Sequence, residues 1–176
     1  MTTPTLTSRV PQVIDYLVGQ AQASTLLGKN PAAPVTVIDG PAVTNDTLAE
    51  PLHLWIGHDQ AATGDLSANA DQSWPVMDHA RTRDEGGTVT LTADAWSGST
   101  VMKTVRDQCA AIVAAVELLL RGDGRTGPGD TTMGGLVLWS AVDGPFAWTQ
   151  RQTQDGAGCS CVFHVTYTAR LTTGGS

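Results

Sequence analysis

The chain has 176 residues, ten Lys and Arg against 17 Asp and Glu, and a formal net charge of −7. With 41% hydrophobic and 15% charged residues it is neither a disordered tail nor a coiled coil, and it needs no disulfide or metal to fold. The acidic balance argues against a protein that grips nucleic acid through its phosphates.

Met1 to Ser8 carries no basic stretch followed by an apolar one, so no export leader is expected there. The first periodic segment runs from about Arg9 to Leu27. Its apolar residues Val10, Val13, Ile14, Leu17, Val18 and Ala21 fall on one helical face. Ser8 is placed to cap it, Pro11 suits its first turn, and Gly28 with Pro31 stops it. Val35 to Asp39 then reads as a short strand ended by Gly40-Pro41, and Leu52 to Ile56 as a second. Gly57 to Asp71 lacks periodicity and reads as an exposed loop or loose hairpin.

Ser73 to Arg83 reads as a strand with Pro75 at an edge or bulge. Asp84-Glu85-Gly86-Gly87 reads as a turn, and Thr88 to Trp96 alternates as the second arm of an antiparallel hairpin. A second helix is expected from a cap at Ser99 to Arg121-Gly122, with Val101, Val105, Ile112, Val116, Leu119 and Leu120 as its stripe around Cys109. The apolar run within it is too short to span about 30 Å of hydrocarbon. Gly122 to Asp130 reads as a Gly/Pro-rich loop. Leu136 to Trp139 and Phe146 to Arg151 read as two strands. Cys159 to Leu171 alternates most clearly, with odd-numbered residues on one face and even-numbered on the other. Short connections favour antiparallel pairing. The expected fold is therefore α+β: two amphipathic helices on one mostly antiparallel sheet, a single two-layer domain over 1–176 with frayed ends at about 1–7 and 172–176.

Chemistry is sparse. His53, His58, Asp59, Asp78 and His79 offer nitrogen and oxygen ligands but match no metal-ligand spacing, and a metal-dependent hydrolase using His53, His58, Asp78 and His79 is a minor alternative. In one extended strand, His53 and His58 would point to opposite faces. Cys159-x-Cys161 lacks the second ligand pair of a zinc site and reads as core. Three cysteines make no complete disulfide framework, so a reduced, cytosolic chain is expected. Ser99 lacks the Gly-x-Ser-x-Gly frame of a nucleophile elbow, and the glycines from Gly122 to Gly127 follow a helix instead of opening one. Asp84 and Glu85 read as solvated turn residues or partners of Arg81 and Arg83. The five tryptophans, Trp55, Trp74, Trp96, Trp139 and Trp148, all fall in or beside strands, as core residues or as interface anchors.

The order of elements resembles the tail terminator (tail completion) proteins of long-tailed, non-contractile bacteriophages and related neck proteins of that fold. The stretches that carry the resemblance are Val10-Pro11-Gln12-Val13-Ile14-Asp15-Tyr16-Leu17, Leu52-His53-Leu54-Trp55-Ile56-Gly57 and Arg83-Asp84-Glu85-Gly86-Gly87-Thr88-Val89-Thr90-Leu91. Trp96-Ser97-Gly98 and the helix through Arg106 to Leu120 complete it, over about residues 8 to 171. Gly57 to Asp71 and Leu120 to Met133 are longer than a minimal version needs. The resemblance implies a non-enzymatic virion protein without cofactor, assembled in the host cytoplasm. It implies a ring, a homohexamer, that caps the tail tube, ends tube polymerisation and receives the head connector while genomic DNA passes through its channel. A head-closure or joining protein of the neck is the alternative. Trp55, Trp74, Arg83, Glu85, Trp96, Trp139 and Trp148 are the candidate interface residues.

Overall fold

The computed structural model describes residues 7–41, 50–58, 67–74, 82–122 and 129–172. Its elements in chain order are α1 (Val10–Ala23), β1 (Thr36–Asp39), β2 (Leu52–Ile56), β3 (Ala68–Ser73), β4 (Thr82–Ser97), α2 (Met102–Arg121), β5 (Trp139–Thr153) and β6 (Gly156–Thr172). The sheet order is β1-β2-β4-β6-β5, and β3 pairs with β4 beside β2. This is the expected α+β architecture, with both helices packed into one core against one sheet face. All strand pairs are antiparallel except β1 with β2, which is parallel. The expectation of short antiparallel connections does not hold there.

The central strands explain the core. Val89, Leu91, Ala93 and Ala95 of β4 stand opposite Val165, Phe163, Cys161 and Cys159 of β6, and all eight are buried. Period-two alternation puts them on one face. Against it lie Val105, Cys109, Ile112, Val116 and Leu120 of α2, and Val13, Leu17 and Ala21 of α1. Each large side chain buried this way contributes about 1.5–3 kcal/mol. The three cysteines are buried free thiols within this layer. Burial pushes the Cys161 thiol up to about 11, so these sulfurs are packing groups.

Several boundaries differ from those expected of the sequence. α1 ends at Ala23, because Leu27 leaves the helix to fill the core while the Gly28 amide donates back to the Ala21 carbonyl. α2 begins only at Met102. Ser99 accepts the Val101 amide in a preceding turn, and Val101 is exposed. Leu136 to Trp139 and Phe146 to Arg151 are not two strands. Leu136 to Leu138 lie in a turn and bend, and one strand, β5, begins at Trp139 and runs on through the second stretch, with a bulge between Asp143 and Ala147 at Gly144-Pro145. Proline and glycine mark irregularity in an edge strand without ending it. Residues 59–66, 75–81 and 123–128, which hold most of the predicted loop at 57–71, most of the strand at 73–83 and most of the loop at 122–130, lie outside the described residues.

The largest correction concerns Asp84 to Gly87. These residues form no turn. They are the first third of β4, paired with β3 on one side and β6 on the other. Glu85 is buried, 1% exposed, and makes no ion pair with Arg83.

Candidate interaction surface

The polar and aromatic residues singled out in the sequence separate into three places. The first is a closed corner around Glu85. Its carboxylate accepts hydrogen bonds from the Arg9 amide at the start of α1 (2.8 Å), from Gln72 Nε2 of β3 (2.7 Å) and from the Tyr167 hydroxyl of β6 (2.8 Å). Burial raises its pKa, but the Arg9, Gln72, Tyr167 and Ser8 donors outweigh this and hold it below the usual carboxylate range. Tyr167 reaches Glu85 by lying across Gly87, the residue directly opposite it. A Cβ on Gly87 would fall 2.3 Å from the phenol ring. The double glycine thus makes room for a ring instead of a turn. Arg83 joins the corner at one remove. Its guanidinium donates to Gln72 Oε1 (2.8 Å) and lies over the Trp74 ring, 5.5 Å from the centroid. Glu85, an interface candidate by sequence, is therefore buried in the single chain with its carboxylate hydrogen-bonded internally.

The second place is the sheet face away from the helices. Trp55 is an interface candidate by sequence, yet it is 3% exposed. Its ring lies between His53 (6.1 Å) and His58 (5.7 Å). The two histidines do not point to opposite faces, because β2 ends at Ile56 and Gly57, with φ of +74°, turns the chain back over Trp55. His53 Nδ1 lies 3.9 Å from Asp94 Oδ2 across the strand pair. Burial pushes the Asp94 carboxyl up, against the pull of His53 and Arg151. The other members of the imagined metal site, Asp59, Asp78 and His79, lie outside the described residues. Among the described residues, no three His, Cys, Asp or Glu side chains gather as a metal-holding group. Trp96 lies on this same face opposite Gly158 and is 42% exposed.

The third place is the open edge of β5, and sequence reasoning finds it only in part. Among the described residues, β5 is paired with β6 alone. Past the bulge, every residue from Ala147 to Thr153 is exposed. Trp148 and Phe146 stand on the helix side of the sheet, with Phe146 stacked on Phe163 at 6.4 Å, and Arg151 stands on the opposite side. Leu138 and Trp139 extend the apolar character to the start of the strand, next to a groove of about 310 Å³ between β5 and the end of α2. Phe146, apolar beside a Gly-Pro bulge, and Leu138, apolar beside Trp139, could have been added to the tryptophans. At the other end of the sheet, β3 is also paired on one side only among the described residues, and Trp74 beyond it is 56% exposed. Long strand edges carrying aromatic side chains invite another strand, because their amides and carbonyls are unpaired.

No helix is long and apolar enough to cross a membrane among the described residues. No protein-family model matches the chain, and no curated protein matches it.

Proposed function

We propose that this chain is a structural protein of a bacteriophage tail end, a homohexameric ring that caps the tail tube, stops its growth and presents a docking surface to the head connector. The observation that carries the reading is the pair of unlike strand edges, β3 and β5, at opposite sides of one sheet. Association through two different patches is head-to-tail, and it closes into a ring when the rotation between copies fits. The segments that resemble tail terminators supply the place of that ring in the virion. The net charge of −7 per copy supports the same reading, since an acidic channel lets duplex DNA slide past without holding its phosphates.

The test adds purified protein to tail tubes that lack their terminal ring and images them by electron microscopy. The expected result is density on one tube end and arrested tube length. Binding to head connectors with none to tube ends would move the protein to the head side of the neck. Binding to neither would end the reading.

A further inference from the structure

We propose that the ring junction is a strand addition in which β5 of one copy pairs, antiparallel, with β3 of the next, bringing Trp148 opposite Trp74 and Arg151 opposite Asp71. The proposal rests on the ring reading above and names its interface.

Three features lead to it. The first is direction. β3 is antiparallel to β4, β4 to β6 and β6 to β5, so β5 and β3 run oppositely within one chain. A neighbour in the same orientation therefore offers β3 antiparallel to β5, and the sheet continues with its faces preserved. The second is shape. Beside one half of β4 the sheet continues for two strands, β2 and β1, and beside the other half for β3 alone among the described residues. The step left next to β3 is one strand wide.

The third is register. Asp71 stands opposite Gly86 on the face away from the helices, and Arg151 stands opposite Gly158 on that same face. Both are exposed, and neither makes a close ion pair among the described residues, although Arg151 lies near enough to attract Asp94 on the same face. Setting Arg151 against Asp71 places Thr149 against Ser73 and Trp148 against Trp74. Trp148 stands opposite Cys161 on the helix side, and Trp74 is held on that side by Arg83. One alignment thus joins opposite charges on one face and two exposed aromatic rings on the other, the cross-strand pairs that stabilise sheets. The same alignment displaces each copy along the strand direction, so the strands of a closed ring would be inclined to its axis, as in a barrel.

The test uses the free full-length chain and needs no tubes. Molar mass is followed by light scattering during size exclusion, and by native mass spectrometry, over a range of concentrations. The wild type is expected to associate. Arg151→Asp alone and Asp71→Arg alone should each weaken association about tenfold, because a like charge then faces a like charge. An equimolar mixture of the two variants should restore it, because each junction again joins opposite charges. Trp148→Thr should weaken association without changing the melting temperature, which guards against misfolding of the charge variants. A wild type still monomeric at about 1 mM would overturn the proposal. So would an unchanged Asp71→Arg variant, which would point to another edge, or a mixture that fails to recover. In either of those last cases, tube capping would still stand or fall on its own experiment.

Discussion

The corner around Glu85 and the outer half of β5 are built from similar residues and end in opposite states. Both combine an aromatic ring, a charged group and polar strand residues. At the corner, three donors from three distant parts of the chain converge on one carboxylate, and the tyrosine that supplies one of them is wedged over a glycine. On β5, Trp148 and Arg151 stand exposed beside backbone that pairs on one side only among the described residues. Charge and aromatic content do not by themselves mark an interface. What matters is whether the chain satisfies those groups internally.

Mutations should separate the two regions cleanly. The largest effect is expected at the corner. Glu85→Ala strands the Tyr167 hydroxyl, Gln72 and the Arg9 amide at once, and should cost about 3 kcal/mol in denaturant unfolding. A cost close to zero would mean the corner is not closed. Gly87→Ala drives a methyl into the Tyr167 ring and should cost about 2 kcal/mol. That cost should fall when Tyr167 is also shortened to Ala, since the two residues touch.

Titration sharpens the same contrast. Glu85 has a folded pKa below its unfolded value. Its contribution is complete above the unfolded value near pH 4.5 and is lost as the pH falls through the folded one. Acid unfolding of Glu85→Gln should therefore be less steep than that of the wild type. Asp94 has the opposite sign. Its folded pKa is raised, so its contribution is largest at low pH and declines as the pH rises through the unfolded and then the folded value. Asp94→Asn should consequently be at least as stable as wild type at pH 7, measured by thermal melting.

The smallest stability effects are expected outside the corner's centre. Arg83→Ala loses one exposed hydrogen bond and a cation–π contact, and should cost less than about 1 kcal/mol. Trp148→Thr should change stability by no more than an ordinary surface substitution, about 0.5 kcal/mol, while association falls. A large loss of stability from Trp148→Thr would mean that the ring belongs to the core of its own chain, and the comparison would fail.

Much of the fold is legible in the amino-acid order alone. The alternation from Cys159 to Leu171 predicts β6 with its buried face correctly, because β6 has a neighbour on each side and a helix layer over one face. Asp84 to Gly87 is not legible. Gly-Gly after two acids has the composition of a turn, and a buried glutamate is costly unless donors arrive from elsewhere. Those donors sit at residues 9, 72 and 167, far apart in sequence. Trp55 and Trp148 have the same strand context in sequence, yet one is 3% exposed and the other 42%. The difference comes from position in the sheet, since β2 lies inside it and β5 at its edge.

Local periodicity, then, determined the two helices, the apolar face of each central strand and the α+β class, because side-chain direction follows backbone repeat. Only the tertiary structure decided which strands became edges, which acid was buried and which tryptophans stayed in water. Those outcomes depend on the order in which strands pair, and that order is set by contacts between residues remote in the chain.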